Sequence, residues 1–234
     1  MIISINQPAY LPWLGYFHRI AVSDTHVMLD SVQLEKNSFT NRNKVRTSQG
    51  WCWLTVPVRT AGKFGALQIG EAEIDNDRPW AKKHWATLCA SYSKAPFFKA
   101  HAGFFESVYS RHWTKLHHLT WTITKYLLDA LDIRTKIRFS SELGATGKKD
   151  ELILNLCREL GGNVYLSGPL GKDYLRENLF QEEGIAVQYH EYQHPTYKQV
   201  YPGFEPYMTI LDLLFNAGPK SRELMMGIEE RVTA

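Results

Sequence analysis

Cysteine is scarce in this chain of 234 residues: there are three, Cys52, Cys89 and Cys157, and no two form a C-x-x-C pair. That excludes a disulfide-stapled secreted domain and a dithiol redox motif, and it points to reduced thiols in a cytoplasmic protein. All three lie in apolar runs, whereas a reactive thiolate needs an electropositive setting, so none is read as a nucleophile. Long hydrophobic runs are also missing. The N-terminal run Ile2 to Ile5 is too short for a signal peptide and has no basic segment before it, and no stretch reaches membrane-spanning length, so no membrane insertion is expected. Neither sign of charge dominates: 27 Lys and Arg against 24 Asp and Glu leave +3, without a polybasic block, so nucleic acid is not indicated as the main partner. No H-E-x-x-H or similar helical pair occurs, and His84, His101, His112, His117 and His118 are read as surface or helix-packing residues rather than metal ligands. The basic loop Arg59 to Gly65 lacks the residue order of a P-loop; it reads as a solvated turn, with Lys63 a minor phosphate candidate.

What is present suffices for a sizeable core, since 44% of the residues are hydrophobic. The expectation is a single α/β domain over 1–234, a mostly parallel sheet with flanking helices, and a helical insertion at about 78–132. The chain is organised around its opening. Ile2 to Ile5 reads as a buried strand, and Gln7-Pro8-Ala9-Tyr10-Leu11-Pro12-Trp13-Leu14-Gly15-Tyr16-Phe17-His18 leads from it into a helix. Pro8 and Pro12 fix φ and remove donors, while Gly15 permits a positive φ or a close approach. Such a connection holds Gln7, Tyr10, Tyr16 and His18 at the carboxyl end of a strand, where open α/β sheets bind ligands. The alternative is an aromatic lid that completes the core.

A second strand, His26 to Asp30, puts Asp30 at its carboxyl end, with Gln33 just beyond. From Glu35 to Lys44 there is no apolar period of either kind. Asn41, Arg42 and Asn43 offer the donors, acceptors and two-pronged cation that suit a sugar, a nucleotide or an amino acid, or else a solvated Asn-rich turn. Trp51 to Val58 is a strand with Pro57 at its end or on an edge. Apolar residues at helical spacing then fill Trp80 to Leu131 without an intervening strand, which is the helical insertion.

The α/β pattern returns at Lys136 to Phe139, followed by a helix around Leu152 to Leu160, a strand Val164 to Gly168 and a strand Ile185 to Tyr189, which implies parallel strands with right-handed crossovers. Ser140, Ser141, Thr146, Ser167 and Gly168 would gather at the carboxyl edge. That is a setting for an anion, although N-capping explains single hydroxyls as well. His190 and His194 are four apart in a non-helical segment, so they are not read as a zinc pair. His194, beside Tyr197 and Gln199, is the first candidate for a general base or orienting residue, and His18 the second. In the tail helix Met208 to Asn216, Leu213, Leu214 and Phe215 serve either the core or a homodimer contact.

These segments together resemble the WbqC-like family. The matching residues are the Gln7-Pro8 to Phe17 opening, Asp30-x-Val32-Gln33, Asn41-Arg42-Asn43, Trp53-Leu54-Thr55-Val56-Pro57, Ser140-Ser141-Glu142-Leu143, Tyr165-Leu166-Ser167-Gly168, His194-Pro195-x-Tyr197-x-Gln199 and Ile210 to Gly218. Members are often encoded with enzymes that make O-antigen and related surface sugars. The resemblance therefore implies a role in building a polysaccharide precursor, with transfer of an acyl or aminoacyl group, such as glycyl, to an amino sugar. Under that reading Asp30 or His194 removes the amine proton, Arg42 holds an anionic part of a substrate, the small-molecule partner is a nucleotide-activated amino sugar, and the cofactor is not named by the sequence. A nucleotidyl-transferring or adenylate-forming enzyme is the second reading, since the strand, turn and helix of the opening are loosely similar to HxGH nucleotidyltransferases, although no HxGH is present. The third is a sugar-binding assembly protein without catalysis.

Overall fold

The structure is a computed structural model that describes residues 1–60, 62 and 65–227 of the chain. Lys63 lies outside the described residues. Five short strands, β1 (Ile2–Asn6), β2 (Thr25–Met28), β5 (Lys136–Phe139), β6 (Val164–Ser167) and β7 (Ala186–Tyr189), form one sheet in the order β5-β2-β1-β6-β7. Every pairing in it is parallel. β1 is flanked on both sides by strands that leave it in opposite directions, which makes the carboxyl end of β1 and β6 the topological switch point.

Alternation along β1 and β2 divides the sheet into two faces. Ile3, Ile5 and Val27 point to one face and pack with α5 (Asp150–Glu159) and with Phe180 of α6 (Glu177–Glu182). Met28 points to the other, beneath α1 (Leu14–Ala21), with Ser4 and His26 between strand and helix. The second face is deeper because the chain between β2 and β5 adds a hairpin, β3 (Arg42–Thr47) and β4 (Gly50–Thr55), and three helices, α2 (Trp80–Tyr92), α3 (Phe98–Ser110) and α4 (Leu116–Ala130). Arg42 and Asn43 thus belong to a strand, where the sequence suggested a loop. The hairpin is a two-stranded sheet by itself, and its inner residues Val45 and Leu54 supply the burial that the polar run before them does not.

The tail helix α7 (Ile210–Ala217) is capped by Thr209, whose hydroxyl accepts from Leu211 N–H at 3.4 Å, and it stops at Gly218 (φ +54°). Leu213, Leu214 and Phe215 are fully buried, so they serve the core and offer no dimer contact. α8 (Ser221–Met226) closes against α1 and α7. Among the described residues no helix is long and apolar enough to cross a membrane.

Candidate functional site

The β1 carboxyl end opens into the connection Gln7 to Trp13, which is held from several sides. Tyr10 N–H donates to the Phe39 carbonyl, Asn43 Nδ2 donates to the Leu11 carbonyl, and Tyr16 Oη donates to the Gln7 carbonyl at 3.3 Å. Leu11 takes a positive φ of +47° to make the turn. Gly15 is needed for close approach rather than for φ: a Cβ there would lie 2.4 Å from Trp13 Cη2, because the indole folds over the first turn of α1.

α1 delivers two side chains to the sheet edge. His18 Nδ1 is 2.8 Å from His190 Nε2, and His190 is anchored by its backbone N–H to the Ser167 carbonyl. One proton serves that contact, so the rings form a donor and acceptor pair. Burial lowers the pKa of both imidazoles. For His190 the value falls to about 4, pushed down first by burial and then by His18 and Arg19. Both rings are neutral at pH 7. Tyr192 stacks on His190 with ring centroids 5.9 Å apart and lies 4.9 Å from His18, and its buried hydroxyl has no partner among the described residues.

The next residue of α1, Arg19, reaches the crevice between β1 and β6. Its guanidinium makes no ion pair or hydrogen bond among the described residues, and it rests on the backbone of Gly168. Below it Ser23 Oγ donates to Ser4 Oγ, which is 2.7 Å from His26 Nδ1. His26 Nε2 is left buried without a partner among the described residues, as is Asn6 Nδ2. Buried polar groups in folded proteins are ordinarily paired; among the described residues Asn6 Nδ2, His26 Nε2 and Tyr192 Oη are unpaired at this end of the sheet, and Arg42 Nε, His117 Nδ1 and Asp212 Oδ1 elsewhere.

The other expected residues are placed as follows. Asp30, buried at the end of β2, accepts from Ser140 Oγ (2.9 Å), Ser141 N–H (2.9 Å) and Ser141 Oγ (2.7 Å), while Ser140 Oγ accepts from the N–H groups of Asp30 and Ser31. This cluster ties β5 to β2. His194 accepts from Tyr207 N–H at Nε2 (3.2 Å), so its proton is on Nδ1 and donates to the Pro195 carbonyl (2.8 Å); both nitrogens are engaged. Tyr10 is fully buried, with its hydroxyl 2.8 Å from His84 Nδ1 and 2.6 Å from Tyr109 Oη. Tyr197 and Gln199 both donate to Asp212 Oδ2, and Gln199 Oε1 accepts from Arg46 Nε, so they fasten the irregular segment 190–209 to the core. Burial raises the Asp212 pKa. Gln33 and Asn41 line a separate cleft of about 270 Å³, with Glu35, Lys36 and Thr60. On the outer face of the hairpin Arg42 lies 4.3 Å over Trp53 and Lys44 lies 4.4 Å over Trp51, with Phe39 exposed beside them.

The structure therefore brings His18, Ser167 and the Gln7 turn to one edge, and keeps Asp30 with Ser140 and Ser141 at another. His190, Arg19, His26 and Asn6 were not among the candidates read from the sequence. The available signals were the adjacent His18-Arg19 pair on an amphipathic helix and a glycine directly after a buried strand. Among the described residues, no three His, Cys, Asp or Glu side chains gather as a metal would require.

A model of the WbqC-like protein family matches residues 7–224. The chain belongs to that family. It is also 36% identical over 225 residues to an uncharacterized protein of Mycobacterium tuberculosis, with 95% of this chain and 96% of the relative covered. The family match spans both the His18 edge and the Asp30 edge, so membership alone does not choose between them. No solved structure matches the chain.

Proposed function

We propose that this WbqC-like chain is a cytoplasmic group transferase of surface-polysaccharide biosynthesis, which joins an acyl or aminoacyl group to the amine of a nucleotide-activated amino sugar. The observation that carries the reading is the neutral His18–His190 pair at the carboxyl edge of a parallel sheet. With its Nδ1–H donated to His190 Nε2, His18 keeps a free Nε2 lone pair. The amine nitrogen attacks the acyl carbonyl, the new C–N bond forms, and His18 Nε2 takes the amine proton. The bond from the acyl carbon to its leaving group then breaks, and the leaving group departs with the electron pair. His190 accepts from the resulting imidazolium and orients it. Asp30 and His194, the other candidate bases, already have their hydrogen-bonding atoms engaged within the fold.

The second reading, a nucleotidyl-transferring or adenylate-forming enzyme, is favoured by one observation. Counted in chain order, the sheet runs third, second, first, fourth, fifth, which is the order of the first five strands in dinucleotide-binding sheets. Incubation with an amino-sugar nucleotide, first with acyl-coenzyme A and then with glycine and ATP, separates the two when followed by mass spectrometry. N-acylated sugar that His18→Asn fails to form supports the transferase. Pyrophosphate release without any N-acylated sugar supports the second reading instead.

A further inference from the structure

We infer that Arg19, seated on Gly168 in the β1/β6 crevice, is the phosphate-binding residue of the site, and that it takes the diphosphate of a nucleotide-activated substrate. This rests on the reading of the crevice as the substrate site.

Space supplies the first observation. An ideal Cβ on Gly168 would lie 2.3 Å from Arg19 Nη1, so the guanidinium occupies the place of a side chain. Gly168 has φ −69° and ψ 164°, extended backbone that any residue adopts, so glycine here serves the arginine and not the chain's path. Charge supplies the second. Among the described residues the titratable groups that act on Arg19 are Tyr165, Tyr16 and Tyr174, and it in turn acts on His26 and His190; none of these is a carboxylate. Arg19 is partly buried, and that burial lowers its pKa, so the cation is partly desolvated with no counter-ion among the described residues. A desolvated charge with no partner is costly, and an anion from outside the chain removes the cost.

Direction supplies the third. The β1–β6 register pairs Ser4 with Leu166, and continuing it sets Asn6 beside Gly168. By strand alternation Asn6 shares a face with Ser4, which is the face that α1 covers. Asn6 Nδ2 and His26 Nε2, both buried and unpaired among the described residues, are on that same face. A guanidinium with donors beside it, and no acid, is the complement of a multiply charged oxyanion, and Arg grips phosphate with paired hydrogen bonds.

Pyrophosphate is the probe, since it carries the diphosphate without a base or sugar. Calorimetric titration at low salt is expected to show binding to the native chain, with affinity about ten- to a hundredfold weaker in Arg19→Gln. Gly168→Ala keeps the charge but displaces the guanidinium, and it should weaken binding as well. Lys44→Gln, on the outer hairpin face, should bind as the native chain does, and thermal melts confirm that each variant is folded. The inference is overturned if the native chain does not bind pyrophosphate, or if Arg19→Gln binds it equally well. The transferase reading fails separately. Binding through Arg19 with no amide product leaves the phosphate site standing, whereas amide product with an unchanged KM for the nucleotide sugar in Arg19→Gln removes Arg19 from it.

Discussion

At the β2/β5 end of the sheet edge, Asp30 has three donors on its carboxylate, and Ser140 and Ser31 complete a closed set of hydrogen bonds. At the β1/β6 crevice, the Arg19 guanidinium has no hydrogen-bond or ion-pair partner among the described residues, and neither do the buried side-chain nitrogens Asn6 Nδ2 and His26 Nε2. Both ends sit where open α/β sheets meet ligands, and both carry polar residues on strands of the same sheet. The difference is what the proposed site rests on. A satisfied polar cluster holds strands together, while an unsatisfied one has binding capacity left over.

The largest effect that would sharpen this contrast is at Asp30. Asp30→Ala leaves Ser140 and Ser141 donors without an acceptor at a buried position, and it should cost about 3 kcal/mol in urea unfolding at pH 7. A loss near zero would mean that the β2/β5 cluster is not structural, and Asp30 would return as a candidate base.

Acid should act next, through the histidines that are kept neutral. His190 and His84 have native pKa values lowered to about 4, by burial first, against about 6.5 in an unfolded chain. Between those values the unfolded state binds protons that the native state does not. Stability is therefore full above pH 6.5 and falls as the pH drops towards 4, each residue costing about 1 kcal/mol between pH 7 and 5.5. Urea midpoints at those two pH values check it. Equal midpoints would contradict the neutral pair.

The smallest effect has the opposite sign. Arg19→Met replaces an unpaired, partly desolvated cation with an apolar chain of similar length, and it should leave stability unchanged or raise it by about 1 kcal/mol while weakening pyrophosphate binding as Arg19→Gln does. If instead it destabilises the fold as strongly as Asp30→Ala, Arg19 is a structural residue and the contrast between the two ends collapses.

Much of this fold was legible because its strands are short apolar runs that alternate with amphipathic helices, as at Lys136 to Phe139, Leu152 to Leu160 and Val164 to Ser167. The hairpin was only half legible. Arg42 and Lys44 face outward over Trp53 and Trp51, so the first half of β3 has no apolar period, and its pairing with β4 is what makes it a strand. Asp30 could be found as an acid at a strand end, but the donors that occupy it come from Ser140 and Ser141, which depend on β2 pairing with β5 far along the chain. Arg19 was hidden for a different reason. An arginine on an amphipathic helix ordinarily reaches solvent, and only the space above Gly168 shows that this one turns inward.

The most direct test of the account is a titration with a nucleotide-activated amino sugar, followed through the imidazole nitrogen resonances of the histidines. The account predicts that the signals of His18 and His190 move together, while those of His194 and of His117, which lies near Asp30, stay in place. Movement of His117 or His194 with His18 and His190 unchanged would place the substrate elsewhere and contradict it.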